Sequence, residues 1–282
     1  MLHLRNILKP GLAGAVLSGL VLSSFTLLSP KVPEPQEAGD DDFKYRKITN
    51  NAFTFNEKLS YRVHYGVINA ATVSMEVGNS YVVKNDRNCY NIKAEGKTLK
   101  SFDWAYKVRD KFETFIDQES LAPLSYNKSV QEDKYTDNDL VTFKHNKKKL
   151  YGVKGILDMP AYTHDIISSL YYVRNIDFSK AKVGDKFPID VYLDNKIYNL
   201  GFKYAGKETL NTDIGKVKCL KFIPTLVVDR VFKDQDDMTV WVSDDENKIP
   251  IRVKAKIMVG SVKVDITSYS GLKNDFKSLV KK

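Results

Sequence analysis

Cysteine, histidine and tryptophan are scarce here: two, four and two in 282 residues. Cys89 and Cys219 lie in opposite halves of the chain, no CxxC occurs, and His3, His64, His145 and His164 are scattered, so no zinc site has ligands at workable spacing. There is no Walker loop, no GxGxxG after a strand signal and no GxSxG, which removes phosphate-cradling and nucleophile-elbow chemistry. Acids are missing from the first thirty residues, where Arg5 and Lys9 precede a largely apolar run over 11–28. That is the layout of a secretory signal. The run is nearly long enough to anchor in a bilayer, but its Gly, Ser and Thr content favours export with cleavage. No cysteine follows it, which argues against lipidation.

What is abundant is the vocabulary of sheets. Sixteen tyrosines, fourteen phenylalanines and a 43% apolar content favour strands and suffice for a full core. The net charge of +9 is modest at this length. Its densest basic cluster, "FKHNKKKLYGVKG" over 143–155, reads as a lysine-rich turn that discourages edge pairing. Nucleic acid, which would need basic residues interleaved with stacking aromatics along a face, is not an expected partner of an exported chain; anionic lipid headgroups are the alternative target of this charge.

Residues 31–50, rich in Pro, Asp and Glu, read as a solvated linker, with order beginning near Phe53 in a single β-rich domain over 51–282. Strand signals run from there to Tyr269, punctuated by Gly, Asn and Asp. In "EKLSYRVHYGVINAATVSMEV" Leu59, Tyr61, Val63 and Tyr65 share one parity, and Val67, Ala71, Val73, Met75 and Val77 repeat it after the turn. Further rows are Tyr106/Val108/Phe112/Ile116, Phe187/Ile189/Val191/Leu193, Tyr198/Leu200/Phe202/Tyr204 and Ile249/Ile251/Val253/Ile257/Val259. One stretch, 163–176, departs from alternation: Ile166, Ile167, Leu170, Tyr171 and Val173 recur at helical spacing, with Thr163 as a cap and Asp165 in the first turn. A helix apolar around much of its circumference must be covered on several sides, and only sheet is available to cover it. The predicted fold is mainly β: a long curved antiparallel sheet or open β-barrel wrapped around one buried α-helix. The tail after 271 reads as a frayed helix.

Few residues carry chemistry. Asp110 falls on the apolar parity of its strand, which is costly without a partner. Arg174 lies along the apolar stripe of the helix, so an Asp110–Arg174 ion pair between sheet and helix is expected; a bulge that sends both charges to water is the alternative. In an oxidising compartment Cys89 and Cys219 form the one available intramolecular disulfide, against two buried free thiols. Asp244, Asp245, Glu246 and Asn247 mark a chain reversal, and their spacing lacks the ligand alternation of a calcium loop. His164, Asp165, Ser168 and Ser169 crowd one helix start without the geometry of a triad, and His64 sits on a polar parity. Neither metal nor cofactor is expected.

The segments "FNEKLSYRVHYGVINAATVSMEV", "YKVRDKFETFID", "DIISSLYYVRNID", "VGDKF", "GKVKCLKFIP" and "MTVWVSDDENKIPIRVKAKIMVGSVKVDI" resemble a domain-of-unknown-function family of exported bacterial proteins with the signatures EKLxYxVxYGxIxA and WxSDDxxxxP. One departure is Ala71, where that family often has Gly. The resemblance implies an envelope or periplasmic location and transfers no catalytic residue. The expected fold is also similar to the open barrels with an internal helix of envelope lipid and lipoprotein carriers. The expectation is a non-catalytic envelope protein that binds an apolar or amphiphilic ligand, a lipid, or an envelope-assembly partner. It touches membrane only through its N-terminal segment if uncleaved. The alternatives are an envelope hydrolase acting on polysaccharide or peptidoglycan through a carboxylate pair, and a scaffold with a filled core. A binder requires an apolar cavity between helix and sheet; an enzyme requires converging acids or a perturbed histidine in a cleft.

Overall fold

The computed structural model describes residues 43–224, 237–257 and 260–280, so the leader, most of the linker and Val259 lie outside the described residues. Fourteen strands form one sheet: β1 Lys58–Tyr65, β2 Ile68–Lys84, β3 Arg87–Thr98, β4 Arg109–Asp117, β5 Pro123–Glu132, β6 Tyr135–Lys144, β7 Lys149–Gly152, β8 Gly155–Asp158, β9 Lys186–Leu193, β10 Lys196–Thr212, β11 Gly215–Pro224, β12 Met238–Ser243, β13 Pro250–Lys256 and β14 Ser261–Ser270. Their order is β8-β7-β6-β5-β4-β3-β2-β1-β14-β13-β12-β11-β10-β9. Chain neighbours pair antiparallel except β8 and β9, and the first and last strands meet mid-sheet, Val63 opposite Val264. The sheet curves without closing; its ends are β8 and β9. The free side of β9 is covered by chain from the helix approach, where His164 pairs in parallel with Val191, which removes an exposed edge.

Alternation explains the wall. Leu59, Tyr61, Val73, Met75, Val77, Phe112, Ile116, Ile249 and Ile251 are all buried, as their parity requires. Asn85-Asp86 and Asp194-Asn195 take positive φ in two-residue hairpin turns, the conformation in which strand twist and turn twist agree. Val67 departs from its row. It is the hairpin tip and is 99% exposed, because the turn ends the pleat before it.

The helix, α1 Ile166–Val173, is shorter than the predicted 163–176 and begins at a different cap. Asp165 is the N-cap: its carboxylate accepts from the amides of Ile167 and Ser168, while the Ser168 hydroxyl accepts from the Asp165 amide, a reciprocal capping box. Thr163 instead donates its hydroxyl to the Pro160 carbonyl. Eight residues are too few for a helix to stand alone. Ile167 and Tyr171, each 1% exposed, fasten it inside the sheet against Phe53 and the strands.

Two terminal expectations are corrected. Residues 43–50 are docked, not solvated: Arg46 lies over the rings of Tyr162 and Tyr172, and the Ile48 amide donates to the Glu119 carbonyl. Aromatic and cationic side chains supply the contacts that its Asp-rich flank hides. The described part of the tail, to residue 280, forms no helix; Leu279 bridges Val217 and the Val280 amide donates to Lys216. The acidic turn explains this, since Asp245 receives the Ser278 amide and Asn247 bonds the Asn274 backbone on both sides.

Candidate functional site

Between α1 and the curved wall lies a cavity of about 340 Å³. Its wall is a cross-strand row set by register: Thr98, Ala71, Val63, Val264, Val253, Val240 and Phe222 face one another in sequence across β3, β2, β1, β14, β13, β12 and β11. Opposite stand Ile166, Ile167, Leu170 and Val173 of α1, with Ile189, Val191 and Leu193 of β9. Val63, Val240, Val253 and Val264 point inward yet are only half-buried, so solvent-sized space reaches them from inside. An unfilled apolar wall forfeits dispersion contacts that a packed core would make. The volume falls within the range of small-molecule pockets.

The described lining residues include no carboxylate and no histidine. The polar ones are few: Thr72, Thr98, Ser169, Lys97, Lys248 and Arg174. The buried Tyr61 hydroxyl, also on the wall, has no hydrogen-bond partner among the described residues. Burial pushes the Lys248 ammonium below its ordinary range, against the opposing pull of Asp177 and Asp245. Arg174 is fully engaged. Both terminal guanidinium nitrogens meet Glu57 at 2.7 Å, further donors reach the Asn247 and Ala52 carbonyls, and the group stacks over Tyr171 at 4.9 Å.

The expected Asp110–Arg174 pair is therefore replaced by Glu57–Arg174. Asp110 does face inward, 1% exposed, but it sits at the start of β4, at the strand end where β5 finishes. Arg174 lies at the other end, beside Glu57 before β1 and the turn after β12. Parity specifies the side of a strand and not the height along it. Glu57 shares the odd parity of Leu59, Tyr61 and Val63, and that was the signal available for it. Asp110 instead accepts from the Gln131 amide near Glu132, and burial, then the Glu132 charge, raises its pKa to about 7. The Tyr106 hydroxyl donates to Glu132 at 2.9 Å. These two acids converge, but in the core and off the cavity.

Cys89 and Cys219 are free, buried thiols on β3 and β11, separated by five intervening strands in the sheet order, and burial pushes both up to about 12. Each donates to the carbonyl two residues back along its own strand. His164 is buried, stacked on Tyr172 at 4.6 Å, and held neutral by burial and by Arg46. Its Nδ1 lies 3.3 Å from the Ser168 oxygen, while Asp165 serves as the cap and accepts from Thr114 at 2.7 Å, so the three do not align for nucleophilic attack. No helix among the described residues is long and apolar enough to cross a membrane.

Residues 60–267 match the model of a family described as a protein of unknown function, DUF3108. No curated protein matches the chain. Among solved structures, a β-barrel-like protein of unknown function DUF1849 from Brucella abortus aligns over 78% of this chain and 99% of its own, at 10% identity and TM-score 0.51. A Bacteroides fragilis protein of YmcC-like fold aligns over 80% and 100%, at 9% identity and TM-score 0.37. A Chlamydia trachomatis protein aligns over 81% and 94%, at 7% identity and TM-score 0.35. The first of these supports the fold.

Proposed function

From a chain that belongs to the DUF3108 family, which brings no activity with it, we propose a non-catalytic cell-envelope protein that holds an apolar or amphiphilic molecule between α1 and the valine row. The observation that carries this reading is the cavity itself: continuous, apolar on both sides and open to solvent. Burying an alkyl chain there would remove water from both surfaces, worth roughly 25 cal/mol per Å² of apolar area. The Lys248 ammonium is the polar group placed to meet a ligand's polar end. The envelope assignment draws on the leader-like pattern over 11–28. The hydrolase alternative lacks support, since the converging acids Asp110 and Glu132 lie off the cavity. A filled scaffold does not account for half-buried inward valines.

Native mass spectrometry of the protein purified from its own cells, with organic extraction of whatever accompanies it, tests the proposal. A retained amphiphile is expected, and Ala71→Trp, which grows a ring into the cavity from β2 of the wall, should abolish its retention. A protein that is empty from every preparation and fails to take up a fluorescent fatty acid would refute the reading.

A further inference from the structure

The strand end at which the cavity wall terminates carries an unusual surface. Register places the β1–β2 turn, the 99–108 connection and the β13–β14 turn all at that end. The same segments form the rim: Tyr65 and Ala70 flank the first turn, and Phe102 and Tyr106 belong to the second, all four lining the cavity. Outward from this rim project Val67, 99% exposed, Ile68, 50%, and Trp104, 62%. These tips stand on rigid supports. The Leu99 amide donates to the Ala70 carbonyl at 2.9 Å, and Phe102, Ala105 and Tyr106 pack on Ala70 in a small core of their own. Large apolar side chains held out in water on a built platform mark a contact surface.

Among the described residues, the charge around the tips has one predominant sign. Lys97, Lys100 and Lys107 flank Trp104, and Lys254 and Lys256 end β13 beside the next turn; all five are exposed, and none pairs with a carboxylate among the described residues. Of the described acids at this end, Asp103 is held by Arg109 at 2.7 Å, Asp133 adjoins Lys134 in sequence, and the Asp237 carbonyl accepts from the Lys256 amide. An aromatic and aliphatic tip inside a lysine collar fits the interface of an anionic bilayer, where Trp sits at headgroup depth and each lysine adds attraction. We infer that the protein docks this rim on an anionic membrane surface, with Trp104 and Val67 inserted, so that the cavity mouth faces lipid. The inference rests on the reading of the cavity as an amphiphile compartment: a mouth pressed against the bilayer lets an apolar chain enter or leave without crossing water.

Trp104 is its own probe, since the other tryptophan, Trp241, is buried. The full chain is mixed with vesicles of phosphatidylglycerol and phosphatidylethanolamine, or of phosphatidylcholine alone, and tryptophan emission is followed with bromine-labelled acyl chains as quencher. With the anionic vesicles a blue shift and quenching are expected, both absent in W104F and both suppressed by high salt. The K97E/K100E/K107E variant should lose at least about fivefold in partition for each lysine, because each change removes one positive charge and adds a negative one. Three results would overturn the proposal: sedimentation with vesicles while Trp104 stays in water, equal response to phosphatidylcholine, or a blue shift that grows with protein concentration in the absence of vesicles, which would mean that a second copy covers the rim. Native mass spectrometry and vesicle sedimentation of the wild-type protein separate the two readings. Amphiphile retained without vesicle contact defeats docking alone, whereas vesicle contact without any retained amphiphile defeats the compartment alone.

Discussion

Glu57 and Arg174 form the most fully buried ion pair of the described residues, 0% and 2% exposed, and every polar atom of the guanidinium fork has a partner on the chain. Removing one member of such a pair leaves an uncompensated charge in the core. Glu57→Gln should therefore cost about 3–5 kcal/mol in urea unfolding, and Glu57→Gln combined with Arg174→Met should recover much of it; additive losses would contradict the coupling. Asp110 supplies the opposite case. Its folded pKa of about 7 lies above the ordinary 3.8, so folding takes up a proton between those values. Its contribution to stability is complete below the unfolded value and declines as pH rises through the folded one. The wild-type protein should lose about 2–3 kcal/mol from this group between pH 5 and pH 8. Asp110→Asn, which keeps an oxygen for the Gln131 amide, should lack that decline and be the more stable protein at pH 8, as read from thermal midpoints across the range.

At the scale of elements, α1 shows how a short helix is made to hold. Its amides are met by one carboxylate, and that carboxylate is itself fixed by Thr114 on β4. Asp165→Ala should destabilise by about 1–2 kcal/mol through the lost cap, while Asp165→Asn should cost less because an amide oxygen can still accept; denaturant midpoints compare them. The apolar spacing of Ile166, Ile167, Leu170 and Tyr171 made this helix readable in the text, and so did the alternation of the strands and the Asx residues at their turns. Its start was misread because Thr163 and Asp165 are both competent caps. What separated them was the strand-like pairing of His164 with β9, which holds residues before 165 extended. No local pattern records that. The same holds for the docked 43–50 segment, whose partners Tyr162, Tyr172 and Glu119 lie more than seventy residues away along the chain.

On the scale of the whole molecule, the sheet is a trough whose two ends differ in chemistry: a polar end, where Asp245, Asn247 and the tail knit the chain together, and a rim with Trp104 and free lysines. Ala71→Trp should leave the unfolding midpoint unchanged or raise it, since it supplies contacts where there were none, while lowering fatty-acid uptake at least tenfold in a fluorescence titration. A fall in stability with uptake intact would place the ring elsewhere. The sequence by itself determined the mainly β class, the single covered helix and the side on which nearly every residue falls, because a pleat of period two and a helix of period 3.6 are local properties. Only the tertiary structure decided which inward charges meet, that the cysteines stay apart, and that the wall encloses open space. Those depend on strand register, bulges and curvature, which set position along and across the sheet and are fixed by contacts between residues far apart in the chain.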